Sequence, residues 1–147
     1  MRKKHRLIFL LLLILSGFFV LFIIWNSQKT NSDELLANNV EFSGKIVGLK
    51  VSNNHLFSII TIKIDSTTTK EFLPSGTQTY PYRIKDSVAE IYHYTSTYLQ
   101  KGTRVKLNSN QKKIRFYNRN SFMYELDMWI ITEKENIEFI KNNTSIR

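Results

Sequence analysis

Leu7–Trp25 reads LIFLLLLILSGFFVLFIIW, a run of nineteen residues without a charge, and no other feature constrains the chain as strongly. At 1.5 Å of rise per residue a helix of that length covers about 28 Å, close to the hydrocarbon thickness of a bilayer. Its apolar residues fall on every side, unlike the single stripe of a surface helix. Ser16 and Gly17 are tolerated inside such a helix, and Trp25 stands where an aromatic ring meets the interface. Arg2, Lys3, Lys4 and Arg6 precede the run, whereas only Lys29 follows it closely. The positive-inside rule therefore makes residues 1–6 a short cytoplasmic tail and places the rest outside. A cleaved signal peptide is the rival reading, but its apolar core is usually about 7–15 residues long and ends at a small-x-small site. Leu35-Leu36-Ala37 puts a leucine where the first small residue belongs. The expectation is a single-pass signal anchor over residues 7–25, with the C-terminal domain extracytoplasmic, on the periplasmic side of a bacterial inner membrane.

Residues 26–39, NSQKTNSDELLANN, read as a polar linker. As a flexible coil it spans about 20 Å, which keeps the following domain near the membrane. Residues 40–147 amount to one ordinary domain. With no cysteine, that domain has no disulfide, no thiolate metal site and no Cys nucleophile. His5, His55 and His93 are too far apart for a local metal motif, and no phosphate loop, GxSxG or HExxH occurs, so no cofactor is expected. The net charge is +9, of which four units precede the apolar run and belong to topology, so the remaining +5 names no partner by itself.

Seven Tyr and ten Phe favour strands over disorder. Val40–Val51 alternates around Phe42, Ile46 and Leu49, and Gly44 and Gly48 predict bulges within that strand. Leu56–Ile64 is dense in β-branched residues and predicts a hairpin with it, across Ser52–His55. A third strand is expected over Thr67–Leu73. Ser87-Val88-Ala89-Glu90 has capping-box spacing, and Val88, Ile91, Tyr92, Thr95, Tyr98 and Leu99 recur at helical intervals ahead of Gly102. A helix over 87–100 follows from that spacing, with the β-branched content leaving a strand as the alternative. Thr103–Leu107 and Lys112–Asn118 predict a hairpin across Asn108–Gln111; Phe122, Tyr124, Leu126, Met128 and Ile130 predict another strand. Thr132–Glu135 repeats the capping-box pattern ahead of a short closing helix, and the tail after Asn142 is expected to be loose. The fold expected is thus an N-terminal transmembrane helix plus a small mainly-β (α+β) domain. That domain is OB-like by analogy: a five-stranded barrel with one helix between strands 3 and 4, and a C-terminal strand and helix as an extension.

Leu99-Gln100-Lys101-Gly102-Thr103-Arg104-Val105-Lys106, Asn108-Ser109 and Ile114–Asn120, taken with the anchor, resemble the C-terminal hairpin of small single-anchor envelope proteins of Bacteroidota type. In those, Gly is commonly followed by Asp-Ser, an aliphatic, any residue and Lys; Thr103-Arg104 departs from the Asp-Ser pair. The resemblance covers only the anchor and the 99–120 hairpin. It implies an envelope location and brings no activity or residue role with it.

No acidic residue lies between Ile91 and Tyr124. Side chains alternate across a strand, so Arg104, Lys106, Lys113, Arg115, Tyr117 and Arg119 are expected on one outward face, a candidate anion site. Such a face also suits a lysine-rich solvated edge, a polyanion or lipid headgroups, or a single-stranded nucleic acid, the last disfavoured by the extracytoplasmic location. Glu125, Asp127, Glu133, Glu135 and Glu138 are expected to pair with it, within the molecule or between two copies. Tyr80-Pro81-Tyr82-Arg83 reads as a stacking platform or as loop packing, and His93 with Asp86 or Glu90 as an acid-base pair or as a packed histidine. The leading expectation is a non-enzymatic interaction domain with a protein partner in the envelope. The runner-up is a binding module for anionic polymer, lipid headgroups or single strands through the 103–119 hairpin. A small hydrolase is the third class.

Overall fold

The computed structural model describes residue 12 and residues 14–24, 34–74, 79–95 and 98–146. The chain divides into two compact units, Met1–Leu35 and Leu36–Arg147. In the first, residues 14–24 are α-helical, with Phe18, Phe19, Leu21 and Phe22 each more than half exposed. Residues 1–6, together with 7–11, 13 and 25 of the expected membrane span and 26–33 of the expected linker, lie outside the described residues. Among the described residues no helix is long and apolar enough to cross a membrane.

The second unit is built on one antiparallel 8-stranded sheet. Its strands are β1 (Glu41–Val51), β2 (Phe57–Thr67), β3 (Glu71–Phe72), β4 (Tyr82–Lys85), β5 (Val88–Tyr94), β6 (Arg104–Asn108), β7 (Lys113–Asn118) and β8 (Ser121–Asp127), followed by a helix over Lys134–Asn143. The spatial order is β3-β4-β5-β2-β1-β6-β7-β8, so a central β2–β1 hairpin is flanked by two three-stranded meanders. β1 and β2 pair with shifts at Ser43/Gly44 and Ile46/Gly48, as the two glycines predict. At Gly44 the cause is close approach: an added Cβ would run into the Lys63 carbonyl and meet Ile62 Cγ2 at 2.7 Å.

Two expectations are overturned. The sheet is open and has eight strands, so the five-stranded OB-like barrel is not formed. Within the expected helix over 87–100, Val88–Tyr94 is β5, paired with β2 on one side and β4 on the other, and among the described residues there is no helix between the third and fourth strands. Ala89, Ile91 and His93 point to one face and Glu90 and Tyr92 to the other, and all five are buried. A strand covered on both faces loses its polar alternation, and its apolar positions then mimic a helical stripe. Ser87 is not a helix cap but part of the Asp86-Ser87 turn between β4 and β5, with Asp86 at φ 56°. The expected third strand shrinks to Glu71–Phe72.

The sheet has an inner face lined by Phe42, Ile46, Ile60, Ile62, Ile84, Ile91, Val105, Leu107, Ile114 and Phe116, each at most 3% exposed. Phe42 of β1 meets Tyr82 of β4 edge-on at 6.3 Å although two strands lie between them, so the sheet curls around this core. Thr79 bridges to Ile131, joining the segments before β4 and after β8. On the outer face, Phe57, Ile59 and Tyr92 pack against Ile131 and Ile140, with Ile137 and Phe139 alongside. Burying each such side chain stabilises by about 1.5–3 kcal/mol. The expected closing helix is present, but Glu133 is its N-cap and makes no side-chain cap bond, so packing holds it rather than a Thr132 capping box. The helix covers the outer face over β2 and β5, and the Lys50 ammonium of β1 donates to the Asn143 carbonyl at its C-terminal end (2.6 Å).

Candidate functional site

Over β6, β7, β8 and the Glu41–Lys45 part of β1 the outer face carries exposed and half-buried side chains, and the register of those strands sorts them into rows. Lys63 pairs with Lys45, Lys45 with Arg104, Arg104 with Tyr117 and Tyr117 with Phe122. These five residues make one line across five strands, which at about 4.8 Å per strand is about 19 Å long. The next line is Ser66, Ser43, Lys106, Arg115 and Glu125, and the one after it Glu41, Asn108, Lys113 and Asp127. Side chains directly opposite one another are the interacting unit of a sheet, and like charges in that position are unfavourable. Lys45 has a lysine opposite it on one side and an arginine on the other, with Asp65 3.8 Å from Arg104 as the nearby counter-charge.

The charge is graded across the face. At the acidic end Lys113 contacts Glu125 at 2.8 Å and Asp127 at 2.7 Å, and Arg115 contacts Glu125 at 3.1 Å. The hydrogen bonds to Asp127 and then Glu125 raise the Lys113 pKa, and those from Lys113 and then Arg115 hold Glu125 below its usual range. Among the described residues Lys45, Lys63 and Lys106 make no ion pair. Lys106 Nζ instead lies 5.5 Å from the centre of the Tyr117 ring, and Phe122 meets that ring edge-on at 6.0 Å. Beside Lys106 and Arg115 lies a shallow groove of about 360 Å³, lined also by Ser43, Ser66 and Thr68. The two cations and the hydroxyls supply donors for a phosphate or carboxylate, with the Glu41 carboxylate of the same lining opposing an anion at one end.

Of the residues expected on this face, Arg104, Lys106, Lys113, Arg115 and Tyr117 are there. Arg119 is not: Arg119 and Asn120, at φ 47° and 75°, form the two-residue turn of the β7–β8 hairpin. Sequence reasoning missed Lys45, Lys63 and Phe122. Lys45 and Lys63 come opposite Arg104 only through the bulged β1–β2 register. Phe122 shares the spacing of Tyr124 and Leu126, yet the extra residue Met123 turns it to the Tyr117 side, where it is 58% exposed. Glycines next to an alternating strand were the available signal for the first, and nothing in the composition marks the second.

Comparisons with protein-family models, with curated proteins and with solved structures found no match. The remaining candidates therefore rest on geometry. His93 and Glu90 lie on opposite faces of β5 and do not form an acid-base pair. The ring nitrogens of His93 contact the carbonyls of Tyr94 (2.7 Å) and Asp127 (3.0 Å), with Trp129 edge-on at 4.1 Å. Burial pulls its pKa below the usual value, against the pull of the two carbonyls. Tyr82 is buried, stacked on Phe72 at 4.8 Å with its hydroxyl donating to Asn38, so the Tyr80–Arg83 segment is packing.

The tail after Asn142, expected to be loose, is bound through Glu90. Oε1 accepts from the Ser145 amide (2.9 Å) and hydroxyl (2.6 Å), and Oε2 accepts from Thr144 (2.5 Å) and Tyr92 (3.0 Å). Burial pushes the Glu90 pKa up, but these four bonds outweigh it and the net shift is downward. This carboxylate is fully used in holding Thr144–Ile146 against β5 and is not available as a catalytic group. Glu133, Glu135 and Glu138, expected to pair with the basic face, lie at the N-terminal part of the closing helix, where Lys134 faces Glu138 at 3.9 Å.

Proposed function

We propose that this chain is a non-enzymatic interaction domain, tethered to the membrane of a bacterial envelope by residues 7–25, whose uncovered half-face binds an anionic partner. The observation that carries the reading is the line Lys63, Lys45, Arg104, Tyr117 and Phe122. Three cations stand side by side where strand pairing makes their mutual repulsion unfavourable, with Asp65 as the nearby counter-charge. An anion laid across the line removes that repulsion and gains charge-assisted hydrogen bonds. The apolar run, the basic residues ahead of it and the polar linker support the tethered location.

Inorganic polyphosphate titrated against the full chain at low salt tests the binding. The K45Q/K63Q pair is expected to weaken binding strongly, whereas K134Q/K141Q, which removes the same charge from the closing helix, leaves it nearly unchanged. Equal losses from the two pairs would make the effect one of net charge and overturn the assignment to this face.

A further inference from the structure

We infer that the anionic partner of this face is the headgroup layer of a lipid bilayer, with Lys63, Lys45 and Arg104 among the headgroups and Phe122 beside Tyr117 at the apolar boundary. The inference rests on the anion-binding reading above and adds the identity of the partner. Three observations favour a planar anionic surface. The cations form a continuous line of paired residues across an exposed sheet face, and the groove beside it is shallow. At the end of that line Phe122 is 58% exposed beside the Tyr117 ring. Aromatic residues next to lysine and arginine are the composition of segments that settle at a membrane interface.

The third observation is reach. The domain begins at Leu36, next to the acidic end of the face at Glu41, and Lys45 lies four residues further along β1, about 13 Å away. Only ten residues separate Trp25 from Leu36, and a chain reaches at most about 3.5 Å per residue, so tethering through the apolar run keeps the line close to the headgroups. A single-stranded nucleic acid fits less well. It needs aromatic faces spaced along a groove, and here Tyr117 and Phe122 pack on each other at one end while Lys106 lies over the Tyr117 ring.

The chain has no cysteine, so a single Ser121→Cys, exposed in β8 beside Phe122, takes a fluorescent label without competition. The full chain is reconstituted into vesicles of phosphatidylcholine alone or containing phosphatidylglycerol, each with a quencher attached to the lipid headgroup. Quenching is expected only with phosphatidylglycerol, and high salt is expected to relieve it. With each lysine near an anionic surface contributing as in other basic segments, K45Q/K63Q lowers the ratio of docked to undocked domain roughly thirty-fold. Equal fluorescence in both vesicle types, in a protein that still binds polyphosphate, overturns the lipid assignment and leaves the anion-binding reading standing. Loss of both overturns both. Because both lysines are exposed, the glutamine pair is expected to melt no lower than the parent, and that measurement separates lost docking from lost folding.

Discussion

At the scale of single residues, the clearest demand in the molecule is at Gly44. An added methyl would have to displace the Lys63 backbone or Ile62 at the centre of the sheet. Gly44→Ala is expected to destabilise the fold by about 1–3 kcal/mol, read as a lowered urea midpoint. His93 and Glu90 give the fold a pH dependence of known sign. His93 has a pKa below its ordinary 6.5 when folded. Above that pH its contribution is complete. As the pH falls below it, the unfolded chain takes up a proton that the folded one resists, and stability declines. Unfolding measured from about pH 7.5 to 5.5 should show that decline, and His93→Phe, placed against Trp129, should flatten it. Glu90 acts lower on the scale, because its folded pKa lies below the ordinary 4.5. Its contribution is present above that value and lost as pH falls through the folded one.

At the scale of elements, β5 carries the most information, because its two faces serve two layers. Its Glu90 side binds Thr144 and Ser145, and removing their two hydroxyl donors with Thr144→Val and Ser145→Ala leaves a buried carboxylate with only the Ser145 amide and the Tyr92 hydroxyl. A loss of about 3 kcal/mol is expected in urea unfolding, together with a rise in the Glu90 pKa. The same strand shows where the sequence was legible and where it was not. β1, β6 and β7 could be read because one face of each is wet over much of its length and the alternation survives, and β2 because it is dense in β-branched residues. β5 could not, since helix and tail cover the face that would otherwise be polar. Half of the basic face was legible for the same reason: Arg104, Lys106, Lys113, Arg115 and Tyr117 alternate with buried residues on two neighbouring strands. Its other half depends on long-range register and on a bulge at Met123, and local periodicity holds neither.

At the scale of the whole molecule, the sheet explains its own asymmetry. The closing helix and the tail pack on the outer face over β2 and β5 and reach β1 at Lys50, while Lys45, Lys63, Lys106 and Phe122 of the same face are exposed. The tethered location has its own check: in spheroplasts carrying a C-terminal tag, added protease should remove the tag and leave residues 1–6 intact, and a protected tag would place the domain on the cytoplasmic side. The central claim, that the line from Lys63 to Phe122 is an anion-binding surface, is tested most directly by the salt dependence of polyphosphate binding to the full chain. Binding should fall linearly on logarithmic axes as salt is raised, and K45Q/K63Q should reduce the slope by roughly one for each lysine that meets a phosphate. A slope near zero, or one that the two substitutions leave unchanged, would contradict it.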